Sequence, residues 1–305
     1  MSEFKKYPSI ENHYQEKFIN YFLELYPELK DCPYLITEKL HGSNIQIHIT
    51  KDEIKLGKRT TWIADDEKFF DIQKVVEQNG YIDKCRDIQA QSVKDVTLYG
   101  ELIGSGIQKG VNYGKEKQIF FFDIRIGEHL LNLADFYRFC VIFSLPIVPN
   151  IGIVNSLDEA LNFNPEFDSK ILGIADNICE GIVIKPTKNY QSPNGELFWI
   201  KKKNDKFKEI QKAPKIPKPP QARTKVDDTH DVFLGYITDN RLQNVFSKYG
   251  MIPDKTKIGD YIKYLIEDAR LDFEKDIDLS EFNVDDLRMI YGIRSLGFEL
   301  LKKYL

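Results

Sequence analysis

Polar and apolar positions alternate over residues 44–50 (NIQIHIT), the period of a half-buried strand. A polar turn at 51–53 leads into residues 54–61, the expected hairpin partner. Residues 67–78 carry Phe69, Phe70, Ile72, Val75 and Val76 at spacings that predict a helix. Residues 96–103 and 118–126 are β-rich runs bounded by glycine, and residues 133–145 read as a helix stopped by Pro146. Ser156-Leu-Asp-Glu159 has the spacing of a capping box that opens a short helix. Residues 181–185 and 197–202 predict two more strands, joined through the turn-rich NYQSPNG.

The texture changes near residue 204. Ten Lys or Arg against two acids over residues 201–225 give that stretch +8 in a chain of net charge −4, which leaves −12 elsewhere. Pro214, Pro217, Pro219 and Pro220 stiffen it into an extended linker. Beyond it the pattern is helical. Thr238 is placed to cap residues 239–249 with Gly250 past the end, and residues 259–276 and 284–304 continue with helical periodicity, interrupted near Gly292. The expected organisation is an α/β catalytic-type domain over 1–212, a Pro-rich basic linker over 213–225 and an all-helical domain over 226–305.

With 305 residues, 42% hydrophobic and 30% charged, the chain can bury large cores and is not globally disordered. The slight acidity excludes a uniformly basic coat but not a local basic groove. No apolar run approaches the ~18 residues of a membrane span, and the N-terminal residues lack the apolar core of a signal peptide. Four cysteines form no CxxC pair, which predicts free thiols in a reducing, cytoplasmic compartment.

Candidate chemistry gathers at strand ends. Lys39 closes an apolar run in Thr37-Glu-Lys-Leu-His-Gly-Ser-Asn44, and a lysine among other ionisable groups can become a nucleophile. Arg59 follows in the hairpin. Then come Tyr99-Gly-Glu101, Phe122-Asp123-Ile, Glu180-Gly-Ile-Val-Ile-Lys185 and Ile200-Lys201-Lys-Lys203. Period 2 puts Lys201 and Lys203 on one strand face, with Lys202 facing solvent. Carboxylates without a Cys/His cluster favour Mg2+ or Mn2+ over zinc.

These motifs, in this order, resemble the RNA ligase 2-like family of the covalent nucleotidyltransferase superfamily, which includes phage-type and kinetoplastid editing-type RNA ligases. The opening KxHGxN of that family stands here as Lys39-Leu-His-Gly-Ser-Asn44, where DNA ligases and capping enzymes usually have KxDG. The resemblance is strong over residues 34–204 and weaker around Tyr236–Arg241. It implies an α+β fold: an ATP-grasp-like nucleotidyltransferase domain of antiparallel sheets with flanking helices, then a small helical module that reads RNA ends. It implies ATP-dependent joining of RNA 3′-OH and 5′-phosphate ends through lysyl-AMP and RNA-adenylate, with Mg2+ or Mn2+.

Residue by residue, the resemblance makes Lys39 the nucleophile. Glu101 holds the ribose, Phe122 stacks on adenine, and Lys201 and Lys203 contact the AMP phosphate. Asn44 and Arg59 contact ribose or phosphate, Lys185 a phosphate, Glu38 the adenine side, and His41 the pyrophosphate or RNA phosphate. Glu180 and Asp123 supply metal ligands, and Arg241 contacts RNA. The expected partners are RNA ends in nicked duplex or broken RNA. The competing readings are a DNA or RNA–DNA hybrid nick ligase, which the absence of a strand-rich C-terminal barrel disfavours, and an inactive module that only binds RNA ends.

Overall fold

The computed structural model describes residues 3–210, 223–252 and 255–304. The chain forms two compact units that meet in sequence at Lys206/Phe207. Most of the expected linker lies outside the described residues. Residues 207–210 belong to the second unit, where the Lys208 and Glu209 carbonyls accept from Asn240 and Thr238.

In chain order the first unit contains β1 (Glu11–Asn12), α1 (Glu16–Leu25), β2 (Tyr34–Lys39), β3 (Ser43–Ile49), β4 (Ile54–Lys58), α2 (Ile72–Gln78) and α3 (Tyr81–Gln91). It continues with β5 (Val96–Ile103), β6 (Gln118–Ile126), β7 (His129–Leu130), α4 (Leu133–Ile142), β8 (Asn150–Val154), α5 (Leu157–Asn162), β9 (Gly181–Pro186) and β10 (Ile200–Lys203). Two five-stranded sheets result, ordered β1-β10-β9-β2-β8 and β4-β3-β5-β6-β7. Their ladders are antiparallel except for β1 beside β10. This is the α+β architecture the resemblance implies; the pattern alone predicts an α/β domain, and the antiparallel ladders correct that.

The alternation of β3 sorts its residues. Ile45, Ile47 and Ile49 enter a core shared with Leu98, Phe121 and α2, α3 and α4. Asn44, Gln46 and His48 take the other face, which carries Tyr99 and Glu101 from β5 by register. The first sheet packs Tyr34, Ile36, Ile182, Ile184 and Ile200 against α1 and α5. Each such side chain contributes roughly 1.5–3 kcal/mol on burial.

Several local features differ from the expected ones; β4 ends at Lys58, and β10 begins only at Ile200. The helix expected from residue 67 begins at Ile72, because Phe70 and Asp71 adopt left-handed backbone at φ 50° and 56°. That turn lets Phe69 and Phe70 both reach the core, which offsets a strain of roughly 1–2 kcal/mol per residue. α4 stops at Ile142, with Ser144 left-handed before Pro146. At α5, Ser156 Oγ accepts from Glu159 N at 3.2 Å, but the Glu159 carboxylate returns to Asn155 N, one residue ahead of the cap. Helices α1 and α3 were not expected.

The second unit comprises α6 (Lys225–Leu234), α7 (Asp239–Tyr249), α8 (Ile258–Asp276), α9 (Val284–Ile290) and α10 (Arg294–Leu301) around Phe233, Leu242, Phe246, Leu265 and Phe273. Thr238 caps α7 and Gly250 closes it at φ 87°. No described helix is long and apolar enough to cross a membrane.

Candidate active site

Three neighbouring strands of the first sheet deliver the central charges. The register pairs Gly181 of β9 with Lys39 on one side and Lys203 on the other. Glu180 immediately precedes Gly181 and is 2% exposed. Its Oε2 lies 2.8 Å from Lys39 Nζ and 3.2 Å from His41 Nδ1, and its Oε1 lies 2.8 Å from Lys203 Nζ. Burial would raise the Glu180 pKa, but Lys203, Lys39 and His41 outweigh it and hold the carboxyl well below its ordinary value. Residue 181 must be glycine here: φ is +149°, and a Cβ would sit 2.1 Å from the Lys202 carbonyl oxygen.

The turn from β2 to β3 is similarly constrained. A Cβ on Gly42 would meet the Leu102 carbonyl oxygen at 2.2 Å, and Gly42 N donates to Glu101 Oε1 at 3.0 Å. Asn44 is the cross-strand partner of Glu101, so their side chains share a face. Burial pushes the Glu101 pKa up to about 7; Lys39 opposes that shift and Glu180 adds to it. Arg59 is half-buried, donates to the Pro8 carbonyl at 3.4 Å and lies 5.7 Å over the Tyr7 ring. Its burial lowers its pKa, against the neighbouring Tyr7 and Glu101.

A second cluster forms around Asp123 and Lys185, which are ion-paired. The Tyr7 hydroxyl donates to Asp123 and accepts from Lys185 Nζ at 3.1 Å. That ammonium also sits 4.1 Å over Trp199, which is a core residue as expected. Of the three adjacent phenylalanines, Phe121 is the core ring, while half-buried Phe122 meets Tyr7 edge-on at 5.0 Å. Asp123 and Glu180 thus serve separate cation clusters: Lys185 lies five residues along the chain from Glu180, roughly 16 Å at strand rise. The described residues contain no group of three or more His, Cys, Asp or Glu able to hold a metal by themselves.

The remaining expected residues lie as follows. Lys201 is half-buried and shares its strand face with Lys203 by alternation. Glu38 precedes Lys39 and points to the opposite face of β2. It is 1% exposed, its Oε2 accepts from Lys170 N at 2.8 Å, and its Oε1 is buried with no hydrogen-bond partner among the described residues. Burial raises its pKa against the pull of Ser169 and Lys170. Lys202, expected in solvent, instead donates to the Leu161 and Phe163 carbonyls at 2.7 and 3.0 Å, because the back of β10 packs against the end of α5.

Arg241, expected to contact RNA, is fully buried. It donates to the Tyr236 carbonyl at 2.8 Å and to Asp268 and Asp272 at 2.7 and 2.9 Å, with Glu209 at 3.5 Å. Burial disfavours its charge, but the three acids overcome that and raise its pKa. In this conformation it organises the helical unit and presents no phosphate contact.

Two parts of the site were not among the expected residues. One is Tyr7. The other is the segment between β5 and β6, whose Gln108 Nε2 donates to the Gly42 carbonyl at 2.7 Å and whose Tyr113 hydroxyl accepts from His41 N at 2.9 Å. Neither has a local periodic signal. The four glycines between residues 104 and 114 were the only hint of an ordered loop.

The RNA ligase family model matches residues 33–203, more than half of the chain, and a T4 RNA ligase 2 C-terminal model matches residues 220–292. Among solved structures, a Naegleria gruberi RNA ligase variant with ATP and Mn is similar with TM-score 0.51 and 17% identity, covering 68% of this chain and 59% of that one. A variant with AMP and Mn matches at 0.51 and 18%, covering 67% and 56%. The same ligase with pyrophosphate also gives 0.51 and 18%, covering 67% and 57%. The chain therefore spans a little over half the length of these structures, and at such identity the likeness is one of fold. With the family model running from the strand that carries Lys39 to the strand that carries Lys203, this chain belongs to the RNA ligase family.

Proposed function

We propose that the chain is an ATP-dependent RNA ligase that joins 3′-OH and 5′-phosphate RNA ends. The observation that carries this reading is the Lys39–Glu180–Lys203 cluster: an amine fixed at a strand end beside a second cation in a largely buried pocket. The Naegleria gruberi ligase captured with ATP, AMP and pyrophosphate supplies the corresponding substrate and products.

In the first step the Lys39 amine, having lost a proton, attacks the α-phosphorus of ATP. A P–N bond forms, the bond to the bridging oxygen breaks, and pyrophosphate leaves with the electron pair. In the second, an oxygen of an RNA 5′-phosphate attacks the adenylate phosphorus and the P–N bond breaks. In the third, the RNA 3′-OH attacks the 5′-phosphorus and AMP leaves. Negative charge builds on phosphate oxygens each time, so Lys203 and Lys201 lower the barriers. Phe122 offers a face for the base, and Glu101 with Asn44 and Arg59 forms the ribose side.

The donor set, hard carboxylate oxygens without a Cys/His cluster among the described residues, would suit a hard divalent ion. Glu180 would be the carboxylate that holds it at the Lys39 cluster, with Asp123 in the neighbouring cluster as the other candidate. If Mg2+ or Mn2+ were bound there, it would neutralise triphosphate charge. The substrate is RNA ends in nicked duplex or broken RNA. The four cysteines are free and buried or half-buried, which supports a reducing, cytoplasmic setting.

The test is intact-mass analysis after incubation with ATP and Mg2+. The wild-type chain should gain one AMP and Lys39→Ala none. Lys39→Arg should also fail, because a guanidinium stays protonated. Equal labelling of wild type and Lys39→Ala overturns the nucleophile assignment. Sealing of a nicked DNA duplex but not of nicked RNA overturns the substrate class.

A further inference from the structure

The segment between β5 and β6 holds none of the motif residues, yet it ties three motif segments together. Ile107, Val111 and Tyr113 are buried anchors at 3%, 7% and 6% exposure. From them the segment reaches the β2–β3 turn twice, through Tyr113 to His41 N and through Gln108 to the Gly42 carbonyl. Asn177, three residues before Glu180, grips it by both ends of its amide. The Asn112 N–H donates to Asn177 Oδ1 at 2.7 Å, and Asn177 Nδ2 donates to the Asn112 carbonyl at 2.8 Å. Lys206, three residues after Lys203, donates to the Gly110 carbonyl at 2.8 Å.

We infer that Tyr113 is a positioning residue for lysine adenylylation, and that Asn177 acts through it. The His41 backbone N–H has its acceptor in the Tyr113 hydroxyl, and the imidazole of the same residue touches the Glu180 oxygen that also holds Lys39. Fixing the backbone of His41 fixes where its ring meets that carboxylate. Asn177 fixes the loop that carries Tyr113 and lies on the strand entry that carries Glu180. One displacement would therefore move both sides of the His41–Glu180 contact. The tether should act on the chemical step and leave nucleotide affinity alone, since it touches neither Phe122 nor Lys201. Losing an acceptor for a buried N–H corresponds to about a tenfold fall in rate.

The inference rests on the proposed adenylylation of Lys39, so its test has a readout independent of it. Histidine-selective NMR of the full chain without nucleotide resolves five imidazoles, at His13, His41, His48, His129 and His230. The His41 signal is assigned by its loss in His41→Asn. Tyr113→Phe keeps the buried ring and removes only the oxygen. Asn177→Ala loosens the loop without touching His41. Both should shift the His41 signal and leave the other four in place. Both should also slow lysyl-AMP formation about tenfold at saturating ATP, with the half-saturating ATP concentration within twofold of wild type. An unmoved His41 signal in both variants overturns the tether, as does adduct formation at the wild-type rate. A moved His41 signal with no adduct even in wild type leaves the tether standing and removes the adenylylation reading.

Discussion

Lys39 Nζ and Glu180 Oε2 lie 2.8 Å apart, although 141 positions separate the two residues along the chain. The carboxylate does not act alone on that amine, because its second oxygen holds Lys203 and His41 shares the first. Glu180→Ala removes the carboxylate that sits between Lys39 and Lys203 and leaves those two ammonium groups repelling each other. Adenylylation should fall by about 10²-fold, comparable to losing a central electrostatic group. A Mg2+ titration of lysyl-AMP formation checks it. A wild-type rate at every Mg2+ concentration would leave Asp123 as the leading carboxylate.

The raised pKa of Glu101 makes stability pH-dependent. With a folded pKa of about 7, the native carboxyl binds more protons than the unfolded one between roughly pH 4.3 and 7. Stability is therefore lost as pH rises through that window, by up to about 4 kcal/mol. Glu101→Gln is neutral throughout and keeps an oxygen acceptor for Gly42 N. Its advantage over wild type in urea unfolding should grow from pH 5 to pH 8. A pH-independent difference would show that Glu101 titrates normally. Glu180 contributes with the opposite sign: its depressed pKa stabilises the fold above the ordinary carboxylate range and is lost as pH falls.

Arg241→Ala strands Asp268, Asp272 and Glu209 beside an empty pocket, which should destabilise the second unit by about 3–5 kcal/mol. Both tryptophans, Trp62 and Trp199, lie in the first unit. Far-UV circular dichroism should therefore reveal an earlier helical transition, while tryptophan fluorescence keeps its wild-type midpoint. Parallel shifts in both probes would mean that the units unfold together.

A chain ended after residue 212 retains every motif from Lys39 to Lys203. It should still form lysyl-AMP but seal RNA poorly, because the later steps need a positioned 3′-OH. Gel-resolved sealing of nicked RNA at the full-length rate would show the helical unit to be dispensable for end recognition.

The strands and caps were legible because their signals are local. Alternation marks β3, β-rich runs bounded by glycine mark β5 and β6, and Thr238 and Gly250 bracket α7 by residue type alone. What stayed hidden depends on distant partners. Arg241 reads as a surface cation until Asp268 and Asp272 close over it from α8. Lys202 reads as solvent-facing until the end of α5 offers it two carbonyls. Tyr7 lies in a polar N-terminal stretch, and its place between Asp123 and Lys185 exists only once both sheets are formed. The start of α2 was misread because two left-handed residues interrupt a pattern whose spacing is helical.

The first sheet places its earliest strand against its last: Glu11 pairs with Ile200, and Asn12 with Lys201. Lys39 likewise finds its register on β9 and its charge partner in Glu180, so nothing emerging early in synthesis can build the cluster by itself. Closing such long loops makes formation of this sheet slow relative to the local helices. A ribosome-bound chain that has not yet released residue 203 can pair Lys39 with β9 and Glu180 but lacks Lys203, so the cluster is incomplete. On the proposed reading, the cluster that would receive a nucleotide is complete only when the last strand docks. Adduct formation can then serve as a covalent timestamp for completion of the first unit during translation or refolding.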